Sequence, residues 1–124
     1  MPIRGVIVKR IPIPDVKGVS NYAKRNAAKE VAAELEGWIQ GHCSRPAPPA
    51  SKPGQYPRAR SYEFVTGVNV TGTEKYLTVA SQAMHGVYME DPDGTRPNGR
   101  RRWATKAVKA KDWVAKIKRL ARGE

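Results

Sequence analysis

At 124 residues, with 23 Lys and Arg against 11 Asp and Glu, the chain is strongly basic at net charge +12 and falls within the size of one compact domain. No apolar run approaches the roughly 18 to 20 residues of a membrane helix, and the opening MPIRGVIVKRIPIP has neither the apolar stretch nor the cleavage site of a secretory signal. The lone Cys43 can form no internal disulfide and has no second thiol at metal-ligand spacing, and a mean hydropathy of -0.62 with a single Phe points to a modest core whose burial a partner completes.

The first residues alternate, with Ile3, Gly5, Ile7 and Lys9 on one side and Arg4, Val6, Val8 and Arg10 on the other, and stop at Pro12 and Pro14. This predicts a short strand followed by a stiff turn. From about Val16 to Gln40 the apolar residues Val19, Ala23, Ala27, Val31, Leu35 and Ile39 recur every four, flanked by Tyr22 and Trp38, which predicts a long amphipathic helix. Ser20 or Asp15 is its expected cap and Gly41 its expected stop. Residues 41–60 hold five prolines and no periodicity, so they are expected as an extended loop. Two readings of that loop stand side by side: an arm that reaches a partner, and a flexible linker.

Next, Tyr62 to Val70 and Tyr76 to Ala83 are rich in aromatic and β-branched residues and read as two strands of an antiparallel hairpin around TGTEK. A third short apolar piece, Gly86 to Met89, leads through Glu90 into DPDGTRPNG, a second irregular excursion at residues 91–101. From about Arg102 to Arg122, Trp103, Ala107, Ala110, Val114, Ile117 and Ala121 mark one face of a basic amphipathic helix. The order strand, long helix, loop, two or three strands, helix defines an α+β fold in a single domain over residues 1–124, with both helices packed on a small antiparallel sheet.

Little in this sequence carries catalytic chemistry. His42 and Cys43 are adjacent, so in an extended segment their side chains point apart, and they are read as incidental loop residues. Glu90, Asp91 and Asp93 form part of an oxygen-ligand set, but Pro92 and the missing downstream Glu break a calcium-loop pattern, leaving a solvated acidic turn. GTRPNG lacks the Gly spacing and the Lys of a phosphate cradle. No enzyme activity, cofactor or metal is therefore expected.

Charge is more informative. Eleven Lys and Arg of residues 96–124 face only Asp112 and Glu124, so this segment holds +9 of the +12. Arg100, Arg101 and Arg102 beside Trp103, continuing into Lys106 and Lys109, suit phosphate groups and a stacked base. They equally suit a solvated helix face with Trp103 and Trp113 in the core. No signature of sequence-specific RNA or DNA readout accompanies them.

Two blocks in order, SKPGQYPRARSYEFVTGVNV at 51–70 and GVYMEDPDGTRPNGRRRWATKAV at 86–108, resemble the small neck or tail-completion proteins of long-tailed bacteriophages, which join the DNA-filled head to the tail. The matching positions are Pro53, Gly54 and Pro57, then Tyr88, Glu90, Gly94, Thr95, Pro97, Arg102 and Ala107. After the loop, RARSYEFVTG replaces the family's Thr-Gly, Leu, Arg run, and Asp91, Pro92 and Asp93 lengthen the interval from Glu to Gly-Thr.

The resemblance implies a structural virion protein without catalysis, assembled in the host cytoplasm into a homo-oligomeric ring, a hexamer or dodecamer. That ring would link the head connector to the tail around the DNA channel. Expected contacts with neighbouring copies and with the adjacent connector and tail proteins are Pro53, Gly54, Tyr56, Pro57, Arg58, Tyr88, Glu90, Gly94, Thr95 and Pro97. Arg100, Arg101, Arg102, Lys106 and Lys109 are the expected electrostatic contacts with protein or DNA. Glu34, Glu36, Glu90, Asp91 and Asp93 are expected to meet the basic C-terminal face of the next subunit head to tail. No membrane partner is expected. The alternative reading is a small basic nucleic-acid-binding protein that acts through backbone phosphate contacts.

Overall fold

The computed structural model of the chain describes residues 5–43, 66–83, 86–87, 90 and 103–123. Strand β1 (Val6–Pro12) is followed by helix α1 (Asn21–Cys43), strands β2 (Val68–Gly72) and β3 (Tyr76–Ser81), and helices α2 (Trp103–Ala110) and α3 (Trp113–Ala121). β3 lies between β1 and β2 and is antiparallel to both. The architecture is α+β, with a three-stranded antiparallel sheet, a long N-terminal helix and helical C-terminal elements.

Helix α1 begins where Ser20 caps it: the Ala23 N–H donates to Ser20 Oγ at 3.1 Å, and the Lys24 N–H donates to the Ser20 carbonyl at 3.1 Å. Asp15 has a different task, accepting from Lys24 Nζ at 3.2 Å while the Lys24 stem lies buried. Ala27, Val31, Leu35 and Ile39 are buried as their spacing requires, and the stripe runs one step further to Cys43, which is fully buried. Gly41 therefore does not stop the helix. Burial of Cys43 holds the last turn in place, so His42 and Cys43 are helical residues and not loop residues.

Helix α1 packs against β2, β3, α2 and α3 and so ties the sheet to the C-terminal helices. Val8, Val68, Val70, Leu77 and Val79 from the sheet meet Val31, Leu35 and Ile39 from α1 and Trp103, Trp113 and Ile117 from the last helices in one core. Gly72 permits the close approach of β2 to α1, since a Cβ there would fall 2.3 Å from the Ala28 carbonyl oxygen.

Four local features differ from the sequence expectation. A bulge between Ile7 and Lys9 breaks the alternation of β1, so Val8 is buried while Val6 and Ile7 are exposed. Strand β2 runs on into Thr71 and Gly72, and the turn tightens behind it, where Thr73 Oγ1 accepts from the N–H groups of Lys75 and Tyr76 at 3.2 and 3.1 Å. Gly86 and Val87 have helical backbone and are not a strand, and the Gly86 N–H donates to the Ala83 carbonyl at 3.0 Å. The single C-terminal helix is two helices. Asp112 interrupts it by accepting from the Ala115 N–H at 3.0 Å, which makes Asp112 the N-cap of α3, and Trp113 Nε1 donates back to the Ala107 carbonyl of α2 at 2.9 Å.

Candidate functional site

The two edges of the sheet are built differently. On β2 the Val70 N–H donates to Glu36 Oε1 of α1 at 3.0 Å, so a helix side chain occupies that strand's outer hydrogen-bonding position. β1 pairs only with β3 among the described residues, and it exposes two large apolar side chains, Val6 at 44% and Ile7 at 40%. A strand of this kind presents backbone donors and acceptors together with apolar surface, which is the chemistry of strand addition. The sequence carries the signal as the run Val6, Ile7, Val8, more apolar than one buried face of a strand requires.

Acidic residues are spent inside the chain. Glu90 is 3% exposed, and its carboxylate accepts from the Ala104 N–H at 2.7 Å, the Thr105 N–H at 3.0 Å and Thr105 Oγ1 at 2.6 Å. The first amides of a helix have no partner within it and carry partial positive charge, so a carboxylate here is both ligand and counter-charge. Glu90 is thus a buried internal cap of α2 and not the solvated turn that its sequence neighbourhood suggests. Glu34 pairs with Lys116 of α3, Glu36 holds the β2 edge, and Glu74 accepts from Arg25 Nε at 3.3 Å. Three of the five carboxylates expected to meet the next subunit, Glu34, Glu36 and Glu90, therefore already have partners at home.

The cations of α2 and α3 are exposed or half-buried. Lys109 is exposed and Lys106 half-buried on α2, and Lys118 and Arg119 lie in the last turn of α3. Trp103 is fully buried, with Nε1 donating to the Gly86 carbonyl at 2.8 Å, so of its two readings the core one holds. Trp113 is core as well. Pro53, Gly54, Tyr56, Pro57, Arg58, Tyr88, Gly94, Thr95, Pro97, Arg100, Arg101 and Arg102 lie outside the described residues, as do Asp91 and Asp93.

At the end of α1, the Trp38 ring stacks on His42 with centroids 4.3 Å apart and meets Trp113 edge-on at 6.1 Å. Lys111 Nζ sits 4.6 Å from the Trp38 centroid and 5.6 Å from that of Trp113. This corner is a packing device in which a cation and two indoles pin the α2–α3 junction to α1. Cys43, one residue on, is sealed in the core, and burial pushes its thiol up to about 12. A thiol held neutral in this way is neither nucleophile nor metal ligand.

Among the described residues no three His, Cys, Asp or Glu side chains gather as a metal site would require, and no helix is long and apolar enough to cross a membrane. Compared with known protein families, with curated proteins and with solved structures, the chain shows no significant match.

Proposed function

We propose that the chain is a non-catalytic structural subunit of a tailed-phage neck, assembling with copies of itself into a ring that joins the head connector to the tail around the DNA channel. The observation that carries this reading is the asymmetry of the sheet edges: Glu36 occupies β2, whereas β1 leaves Val6 and Ile7 exposed beside an edge that no strand among the described residues pairs. An edge of this kind supports a heterologous contact, in which an extended segment of the neighbouring copy adds to β1, and such contacts close into rings when the rotation allows. The resemblance of residues 51–70 and 86–108 to neck proteins supplies the setting. Because Glu34, Glu36 and Glu90 are engaged within the chain, the contact between copies is strand addition and not the head-to-tail charge pairing that the sequence suggests.

Sedimentation velocity over a hundredfold concentration range tests the proposal. The wild-type chain should rise in mass to a closed oligomer, and Ile7→Lys, which places a charge on the open edge without touching the core, should remain monomeric with unchanged circular dichroism. A wild-type chain that stays monomeric, alone and with purified connector or tail complexes, refutes it.

A further inference from the structure

A cleft of about 700 Å³ lies along β2 and is lined by Arg10, Arg25, Lys29, Thr71, Tyr76 and Thr78, together with neighbouring backbone. The strand registers pair Arg10 with Thr78 and Thr78 with Thr71, so these three side chains form one row across the sheet. Leu77 and Val79 point into the core, so the row projects from the opposite face, with Tyr76 two residues along β3 from Thr78. The Arg10 guanidinium lies 4.9 Å from the centre of the Tyr76 ring. Arg25 and Lys29, one helical turn apart on α1, reach the same space because β2 is an edge strand.

The charges in this cleft are unequal. Its own backbone N–H first, and Arg25 second, hold the Glu74 carboxyl below the usual carboxylate range, so Glu74 stays ionised and balances Arg25. Arg10 and Lys29 have no acidic partner among the described residues. Thr78 is largely buried and lines the cleft with a hydroxyl that can donate to an acceptor entering it.

We infer that this cleft binds the phosphate ester of a nucleotide, free or within a single nucleic-acid strand. Phosphate oxygens accept from Lys29, from Arg10 and from the Thr78 hydroxyl, while the base lies against Tyr76, which is 39% exposed. The volume matches a ligand of nucleotide size, and the aromatic wall distinguishes this site from one built for a bare carboxylate. The inference stands apart from the neck reading, since a chain that never forms rings can still hold a nucleotide here.

The test uses the full chain with thymidine monophosphate and with a labelled ten-residue oligothymidylate, followed by calorimetry and fluorescence anisotropy at low salt. Lys29→Ala and Thr78→Val should each weaken binding about fivefold or more, while Arg119→Ala, which removes the same charge from α3, should change it less than about twofold. Thr78→Val keeps the side-chain shape, and an unchanged melting temperature shows that its loss of binding is local. Binding of both probes with this pattern assigns the cleft to nucleotides generally, and binding of the oligonucleotide alone assigns it to a strand. Equal losses in all three variants, no binding of either probe, or tighter binding of polyglutamate through the same two residues overturns the inference.

Discussion

Glu90 illustrates how far a residue's role depends on what the chain brings to it. In sequence it opens an acidic, turn-rich stretch, but the fold places it at the N-terminus of α2, fourteen residues from Ala104, where its carboxylate satisfies two backbone amides and one hydroxyl. No local pattern announces such a cap, because the capping residue is remote in sequence and capping-box spacing is absent. Glu90→Ala strands buried N–H groups and should lower stability by about 3 kcal/mol, and Glu90→Gln, which keeps an acceptor oxygen, should lower it by about half as much. Urea denaturation of the two variants measures the difference. Cys43 offers a second check. Its folded pKa, about 12, lies above the ordinary value of 9.0, so its contribution to stability is fully present below pH 9 and is lost as the pH rises towards 12, where the unfolded thiol ionises and the folded one does not. Accordingly, a thiol reagent at pH 8 should label the native chain far more slowly than the chain in denaturant, and equal rates would contradict the sealed position.

Among the elements, those with sustained periodicity were legible and those set by single side chains were not. The stripe from Ala27 to Ile39 identifies α1 because each buried position repeats the same physical demand, and its continuation to Cys43 was available to the same logic but was obscured by Gly41, a residue that a packed helix tolerates. The bulge in β1 and the break between α2 and α3 each rest on one local event. Asp112 decides the latter: a residue with middling helix propensity becomes a boundary once its carboxylate accepts from Ala115 and the Trp113 indole reaches the Ala107 carbonyl. Asp112→Ala should therefore cost about 1 kcal/mol, read as a fall in melting temperature of several degrees. An unchanged melting temperature would show that the tryptophans alone hold this junction.

Across the molecule, the distribution of charge connects fold to function. Carboxylates at positions 15, 34, 36, 74, 90 and 112 are engaged within the chain, whereas among the described residues every Lys and Arg except Lys24 is at least partly exposed. Such a surface resists self-association in low salt and favours a polyanion, so the proposed assembly through an apolar strand edge and the proposed phosphate cleft are compatible on one small body. The α+β class was readable in full from the order of periodic segments. The expected contact surface lacks such a basis: besides the buried Glu90, twelve of the fifteen positions singled out fall in the Pro-rich stretch or the DPDGTRPNG excursion and its flanks, where composition names the residues but no periodicity fixes a conformation. Electron microscopy of a tailed-phage particle that contains this chain tests the central claim most directly. A ring subunit should give density for its α+β body repeated around the axis at the head–tail joint, with an added strand on β1, and a neck assembled with no copy of the chain in it would rule that role out.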